Sequence, residues 1–100
     1  MRLVFTGAAE SDLETIGDYI ALSNPHRAVS FVREIRARCM DLRETPQACP
    51  LLERHEAAGI RKRVHGNYLI FYRVHDRSVG ILRVLHGAMD YERLLFSEDE

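Results

Sequence analysis

Residues 60–90 read IRKRVHGNYLIFYRVHDRSVGILRVLHGAMD, and this stretch decides the fold. It contains three short runs of β-branched and aromatic residues, which favour extended backbone. Two tight turns separate the runs, one at Gly66-Asn67 and one over residues 75–78. A Gly-Asn pair between two such runs is typical of a two-residue hairpin turn. The pattern therefore predicts a meander of three antiparallel strands.

The middle run, residues 68–74, is apolar on both of its faces. Alternate side chains along a strand point to opposite faces. One face takes Tyr68, Ile70, Tyr72 and Val74, and the other takes Leu69 and Phe71. An antiparallel sheet with one solvated face should instead alternate apolar with polar residues. We expect the chain's own helices to cover one face of this sheet and a binding partner to cover the other.

The residues before the meander predict one short strand and two amphipathic helices. Residues 2–6 (RLVFT) favour a strand that ends at Gly7, and apolar residues then recur at helical spacing over residues 8–23. Asn24 is suited to cap a second helix, and Pro25 to occupy its first position. The second helix has the clearest periodicity in the chain, at Ala28, Phe31, Val32, Ile35, Cys39 and Leu42.

The predicted element order is β-α-α-β-β-β, with a proline-containing loop over residues 45–59. Two helices joined by a short turn should pack as a hairpin on one face of the sheet. We therefore expect an α+β fold in which an antiparallel sheet carries an N-terminal helical hairpin. One hundred residues with 46% hydrophobic content predict one compact domain over residues 1–100.

The charge distribution narrows the classes of function. A formal net charge of −1 argues against a protein that coats nucleic acid by bulk electrostatics. Residues 60–77 carry five Lys/Arg against one Asp, a local charge of +4, whereas the first helix and the tail at residues 98–100 are acidic. This asymmetry favours local recognition of an anionic surface or of an acidic partner segment. The acidic tail is expected to fray.

The sequence shows no sign of a disulfide framework, a cofactor motif or a membrane segment. Cys39 falls on the apolar side of the second helix, where a thiol acts as a small hydrophobe, and Cys49 is the only other cysteine. The chain contains no GxGxxG, no P-loop and no nucleophile elbow, so no cofactor is expected. It has no charged-then-apolar leader and no apolar run of about 18 residues. A cytoplasmic protein is expected.

Candidate acid–base residues gather at one end of the predicted meander. The end of its first strand, the start of its second and the end of its third share one edge. This brings His65, Tyr68 and His86 together, with Asp90 just beyond. His and Tyr are side chains that general acid–base catalysis uses, but both also serve as strand-end or core residues with a polar tip at the rim. A metal site is not favoured, because the spacing is loose and a fourth ligand is missing.

The run Arg61-Lys62-Arg63 admits two interpretations. Charges on an exposed edge strand discourage edge-to-edge aggregation. A basic patch, alternatively, contacts nucleic acid or an acidic peptide. Arg73 lies toward the far end of the central strand, and an arginine there would stabilise phosphate charge. The sequence leaves these alternatives open.

An ordered set of residues along nearly the whole chain matches a known superfamily. The set comprises Ala9, Asp12-Leu13 and Ile16, then Asn24-Pro25, Ala28 and Phe31, then Leu42, Pro46, Arg61 and residues 68–74 (YLIFYRV), and finally residues 81–86 (ILRVLH) and Asp90. In this order they make the chain resemble toxins of the RelE/ParE superfamily, on the ParE side. The resemblance implies the β-α-α-β-β-β fold and the toxin role in a bacterial type II toxin–antitoxin pair.

The resemblance also implies a cognate, ParD-like antitoxin whose extended segment wraps the toxin. Such a segment would cover the apolar face left by the helices and would meet the basic strand with acidic side chains. The toxin–antitoxin complex would bind operator DNA through the antitoxin, and the pair would act in plasmid stabilisation. The residues implied in antitoxin or target binding are Arg61, Arg63, Leu69, Phe71, Arg73, His86 and Asp90.

Two cellular targets are open within the superfamily. ParE-like members inhibit DNA gyrase, whereas RelE-type members cleave ribosome-bound mRNA with basic residues and a His or Tyr near the chain end. This chain has Leu69 where the nucleases often carry arginine, and Lys62 is its only lysine. Arg61, Arg73 and His86 alone remain as candidates for catalysis. We expect a non-enzymatic gyrase inhibitor, with a ribonuclease or an inactive binding module as the alternatives.

Overall fold

The computed structural model of the chain describes residues 1–96, and the acidic tail lies outside the described residues. The elements are β1 (Arg2–Phe5), α1 (Gly7–Ala21), α2 (Pro25–Asp41), a 3-10 turn (Glu56–Ala58), β2 (Ile60–His65), β3 (Tyr68–His75), β4 (Ser78–His86) and α3 (Tyr91–Phe96). The predicted α+β class and element order are confirmed, with α3 as an addition. No helix in residues 1–96 is long and apolar enough to cross a membrane.

The four strands form one mixed sheet in the order β1-β4-β3-β2. The meander is antiparallel as predicted, with His65 opposite Tyr68 and His75 opposite Ser78 across its two turns. β1 instead pairs in parallel with β4, from Arg2 opposite Ser78 to the end of β1. The predicted antiparallel sheet therefore holds for the meander and is wrong for β1.

The course of the chain explains the parallel pairing of β1. α1 passes the end of β4, where Asp12 accepts the Val84 N–H, and α2 returns so that Arg36 lies over the ring of Phe5 at the end of β1. Residues 42–59 then carry the chain back along the outer side of β2, where Leu51 forms an antiparallel bridge with Arg61. β2 consequently starts at the same end as β1, and β4 runs in the direction of both.

The helical hairpin packs on one face of the sheet, as predicted. The Thr6 hydroxyl accepts the Ala9 N–H at the start of α1, and the Asn24 side chain accepts the Arg27 N–H at the start of α2, which satisfies helix donors that would otherwise lack partners. The core on this face comprises Ala9, Leu13, Ile16, Ile35, Cys39, Leu42, Ile70, Tyr72, Val79, Ile81 and Val84.

The opposite face of the sheet is also covered, so the expectation of an open apolar face is wrong. Phe71 is fully buried and Leu69 is 9% exposed. The ring of Tyr91 in α3 lies 5.1 Å from the ring of Phe71. The second core comprises Leu52, Ile60, Leu69, Phe71 and Leu85, with Ala58, Leu82, Tyr91, Leu95 and Phe96 packed against it. The loop before β2 and α3 thus supply the cover that a partner was expected to provide.

Three contacts, two from His55 and one from Asp90, hold α3 in place. The imidazole of His55 stacks on the ring of Phe96 at 4.1 Å, and its Nε2 lies 3.1 Å from a carboxylate oxygen of Glu92. At the other end, Asp90 Oδ1 accepts the Arg93 N–H at 3.3 Å. Asp90, predicted as a binding residue, therefore caps α3.

Candidate functional site

The predicted gathering of aromatic and histidine side chains at one end of the sheet is confirmed. Tyr68 pairs with His65 on one side and with His86 on the other. The rings of Tyr68 and His86 meet edge-on with centroids 5.2 Å apart. Phe31 of α2 covers the group, with its ring 5.5 Å from Tyr68 and 5.6 Å from His65. The cluster is a packed aromatic end of the sheet.

In this cluster the neutral His86 imidazole and the Tyr68 phenol can each donate a hydrogen bond. Nδ1 of His86 accepts the Ala88 N–H at 3.0 Å, so a neutral imidazole carries its proton on Nε2. Burial, followed by the nearby phenol of Tyr19, raises the pKa of Tyr68. At neutral pH the Tyr68 phenol is therefore protonated and does not act as a base.

The three catalytic candidates do not converge on one point. Arg61 pairs with Tyr72 and shares its face of the sheet, whereas Arg73 lies on the opposite face. Tyr68, next to His86, and Arg73 are five residues apart along β3, a distance of about 17 Å at the usual strand rise. A reacting group cannot contact all three, because proton transfer needs hydrogen-bond distances.

The arginine candidates hold the loop before β2. The guanidinium of Arg61 donates to the carbonyls of Cys49 at 2.6 Å and Gln47 at 3.3 Å. Beside it, the Tyr72 hydroxyl donates to the Pro46 carbonyl at 2.9 Å. On the other face, Arg73 Nε donates to the Ala58 carbonyl at 3.0 Å. The sequence showed these residues as cations but gave no sign of their backbone partners.

Separate substitutions of Arg61 and Arg63 are expected to differ in their effect on stability. Arg61→Glu leaves the part-buried Cys49 carbonyl without its donor and should lower the free energy of unfolding by about 1–3 kcal/mol. Arg63→Glu should change it by less than about 0.5 kcal/mol, because Arg63 makes no ion pair within residues 1–96. Urea denaturation compares the two, and equal losses would refute the structural role of Arg61.

A second site, which the sequence reasoning missed, lies between α1 and the end of β4. β1 ends at Phe5, opposite Ile81, so it does not reach the last residues of β4. There the carboxylate of Asp12 in α1 bonds to β4 instead. One of its oxygens accepts the Val84 N–H at 2.9 Å and Arg83 Nε–H at 2.7 Å, and the other accepts a second guanidinium N–H of Arg83 at 2.8 Å. The hydrogen bond with Asp12 raises the pKa of the Arg83 guanidinium.

A bulge in β4 turns Arg83 toward α1. Phe71 pairs with Arg83 while the next residue, Tyr72, pairs with Ile81, so Leu82 is the extra residue. Bulges of this kind re-aim side chains at the edge of a sheet. The signal available in the sequence was an arginine inside the otherwise apolar run of residues 81–85, since a partly buried charge requires a partner.

The space between α1 and the end of β4, here called the β4 cleft, has a volume of about 460 Å³. Its apolar and aromatic walls come from Ile16, Tyr19, Tyr68, Leu85 and Met89. Tyr19 is 70% exposed and Met89 is 47% exposed. The Val84 N–H points to this edge, so by the alternation of strand hydrogen bonds the Val84 carbonyl and the His86 N–H point there too. The cleft is therefore suited to an extended peptide that adds to a strand edge.

The remaining candidate groups show no reactive chemistry. Burial raises the pKa of the Cys39 thiol to about 12, so Cys39 is not a thiolate at neutral pH. Across residues 1–96, no group of three His, Cys, Asp or Glu side chains is arranged to hold a metal ion. Leu69 and Phe71, predicted as binding residues, belong to the buried core against which α3 packs.

Comparison with known proteins identifies relatives of this arrangement. Residues 3–91 match the family model of the ParE toxin of the type II toxin–antitoxin system parDE. A structure of the chromosomal ParDE toxin–antitoxin system from P. aeruginosa is similar, with 26% identity, a TM-score of 0.73, and coverage of 86% of this chain and 95% of that chain. The RelBE2 toxin–antitoxin complex from Mycobacterium tuberculosis is also similar, with 29% identity, a TM-score of 0.63, and coverage of 85% and 95%. The search of curated proteins gave no match.

Proposed function

The chain belongs to the ParE toxins of type II toxin–antitoxin systems, and on that premise we propose that it stops bacterial growth by inhibiting DNA gyrase. A cognate, ParD-like antitoxin neutralises it in the cytoplasm, and the pair stabilises the replicon that encodes it. The complex binds operator DNA through the antitoxin. The toxin acts as one domain over residues 1–100.

The separation of the catalytic candidates is the observation that carries this proposal. Arg61 and Arg73 bond to loop carbonyls on opposite faces of the sheet. His86 lies at the far end and bonds to backbone through Nδ1. A toxin without a convergent acid–base centre is better suited to act by binding its target than by cleaving it.

Gyrase inhibition is tested with the purified full-length chain in a DNA supercoiling assay. We expect supercoiling by gyrase to fall as toxin is added and to recover when the cognate antitoxin is added first. Expression without antitoxin should also produce DNA breaks. Arrested growth with normal supercoiling and intact DNA would refute gyrase as the target.

The antitoxin is proposed to occupy the β4 cleft. Both structural relatives come from toxin–antitoxin systems, and the cleft offers the Val84 carbonyl and the His86 N–H of β4 beside apolar walls. The earlier expectation placed the antitoxin over Leu69 and Phe71, which α3 covers here. His86 lines the proposed antitoxin site, whereas Arg63 on β2 is half-buried and lies outside it.

Charged substitutions in the cleft are expected to weaken antitoxin binding without unfolding the toxin. Tyr19→Asp and Met89→Asp each place a carboxylate among apolar walls and should weaken the complex at least about tenfold. Val64→Asp is the matched control, because Val64 is 61% exposed on the distant strand β2. Calorimetric titration measures the affinity and thermal melting checks the fold. Unchanged affinity of both cleft variants would exclude the cleft as the antitoxin site.

Ribosome-dependent mRNA cleavage is the second candidate function. The similarity to the RelBE2 complex at 29% identity favours it, as does the contact between Tyr68 and His86. Mapping of mRNA ends after induction distinguishes it from gyrase inhibition. Cuts at ribosome-bound codons that disappear in Tyr68→Phe or His86→Gln would establish the nuclease, and their absence in the native toxin would reject it.

A further inference from the structure

Three hydrogen-bond donors, from Tyr19, Tyr68 and His86, line the wall of the β4 cleft. The His86 imidazole presents its Nε2 proton, because Nδ1 accepts the Ala88 N–H at 3.0 Å. The Tyr68 ring meets the His86 ring edge-on at 5.2 Å. Burial, and then the nearby phenol of Tyr19, raise the pKa of Tyr68. Among the side-chain hydrogen bonds of residues 1–96, none uses either phenol hydroxyl or His86 Nε2. All three donors are therefore available to a bound partner.

The charge of the cleft suits a partner group with a single negative charge. Among the described residues, the charged side chains that line the cleft are Asp12 and Arg83. Their bidentate pair leaves no net charge on the wall, so a doubly charged phosphate would lose water without gaining a counter-charge. A carboxylate oxygen pair accepts several hydrogen bonds from neutral donors. Such bonds are roughly twice as strong as bonds between neutral groups.

The backbone of β4 limits how a partner pairs in the cleft. Asp12 accepts the Val84 N–H, and the His86 carbonyl accepts the Met89 N–H at 3.0 Å. Between these two engaged groups lie the Val84 carbonyl and the His86 N–H, which face the cleft by the alternation of strand hydrogen bonds. An extended segment therefore finds one backbone acceptor and one backbone donor. Whichever way the segment runs, its residue beside His86 places its side chain on the same face as the imidazole.

We infer that the β4 cleft selects its antitoxin segment by a carboxylate, an inference that rests on the proposed placement of the antitoxin there. The antitoxin residue beside His86 is an aspartate or a glutamate. Its carboxylate accepts hydrogen bonds from His86 Nε2, Tyr68 Oη and Tyr19 Oη. Apolar neighbours of this residue pack on Ile16 and Met89 of the cleft wall. The two backbone bonds position the segment, and the three donors recognise its acidic side chain.

Calorimetric titration of full-length toxin variants with the cognate antitoxin tests this selection. Tyr68→Phe removes one donor and keeps the ring, and His86→Asn removes the Nε2 donor while its amide oxygen can accept the Ala88 N–H. Each should weaken the complex at least about tenfold. His86→Gln places an amide donor near the former Nε2 position and should retain more affinity than His86→Asn. Thermal melting checks the fold of each variant.

Matched controls remove the same groups away from the cleft. Tyr91→Phe removes a phenol hydroxyl on the opposite face of the sheet, where Tyr91 packs on Phe71. His75→Asn removes an imidazole whose side chain is 83% exposed at the turn between β3 and β4. Both variants should bind the antitoxin with native affinity.

Amide substitutions in the antitoxin identify the carboxylate itself. Each antitoxin Asp or Glu is replaced in turn by Asn or Gln, and one of these changes should weaken binding to the native toxin at least about tenfold. The same change should weaken binding less in the Tyr68→Phe background, because one of the hydrogen bonds is already absent there. A double-mutant cycle measures this coupling.

The outcomes separate this inference from the proposed placement of the antitoxin. Native affinity of both Tyr68→Phe and His86→Asn, or an absence of coupling to every amide substitution, overturns the carboxylate inference. If Met89→Asp weakens binding in that case, the antitoxin occupies the cleft and only its recognition by a carboxylate is wrong. If Tyr19→Asp and Met89→Asp also bind normally, the placement fails as well. None of these outcomes depends on whether gyrase is the target.

Discussion

Replacement of Asp12 by alanine is expected to lower the free energy of unfolding by about 3 kcal/mol, because it leaves Arg83 and the Val84 N–H without their acceptor. The Asp12 and Arg83 side chains are only 12% and 25% exposed, so water replaces the lost hydrogen bonds incompletely. Asp12→Asn keeps an acceptor oxygen but loses the charge, and about half of the loss should remain. Urea denaturation provides the measurement.

Two further variants isolate the contribution of the pair. Arg83→Met removes the cation. In a double-mutant cycle, Asp12→Ala should therefore lower the free energy of unfolding less in the Arg83→Met background than in the native chain. Glu10→Ala is the matched control, since its pair with Arg36 is about half exposed and should contribute less than about 1 kcal/mol. A loss from Asp12→Ala no larger than that from Glu10→Ala would contradict a structural role for this carboxylate.

Replacement of Phe71 by aspartate is expected to prevent stable folding. Phe71 is fully buried between the sheet and α3, and an unpaired carboxylate there would cost an amount comparable to the whole stability of a domain of this size, about 5–10 kcal/mol. Phe71→Ala leaves a cavity and should cost about 3–5 kcal/mol. Circular dichroism and urea denaturation measure both effects.

Residues of α3 extend the test to the cover over Phe71. Tyr91→Ala should cost about 1–2 kcal/mol, because its ring contacts Phe71 and is only partly buried. Leu94→Ala, at a position that is 40% exposed in the same helix, should change stability by less than about 0.5 kcal/mol. If Phe71→Asp folded normally but failed to bind antitoxin, the face would be open in solution and the antitoxin would bind there.

The sequence predicted those parts of the fold that are governed by local periodicity. The Gly66-Asn67 turn, the alternating faces of β3 and the Asn24-Pro25 start of α2 all appear as expected. Each depends on neighbouring residues and on constraints that act within a few positions. The parallel placement of β1 was missed, because it depends on the course of the loop over residues 42–59.

The cover over Phe71 was missed for a different reason. α3 has six residues, which is too short for helical periodicity to be read from the sequence. Its stability comes from contacts that are distant in sequence, such as His55 with Phe96. The excess apolar surface of β3 was therefore identified correctly but was assigned to an external partner.

The location of the candidate site was predictable from the sequence, but the bonding partners of its residues were predictable only in part. Strand pairing alone placed His65, Tyr68 and His86 together, because the register of a meander follows from its turns. The partner of Arg61 is a loop carbonyl, which no pattern of side chains reveals. The Asp12–Arg83 pair joins a helix to a strand edge through a bulge, and neither the bulge nor the end of β1 could be located from composition or spacing.

The parallel pairing of β1 with β4 determines when the toxin can fold during its own synthesis. Arg2 is synthesised 76 positions before its partner Ser78. Thr6 must likewise wait for Leu82, to whose carbonyl its hydroxyl donates. Domains generally fold as units, so a nascent or truncated chain that ends before β4 lacks the strand that joins both halves of the molecule. A cell that translates this message is therefore exposed to folded toxin only after β4 has been made.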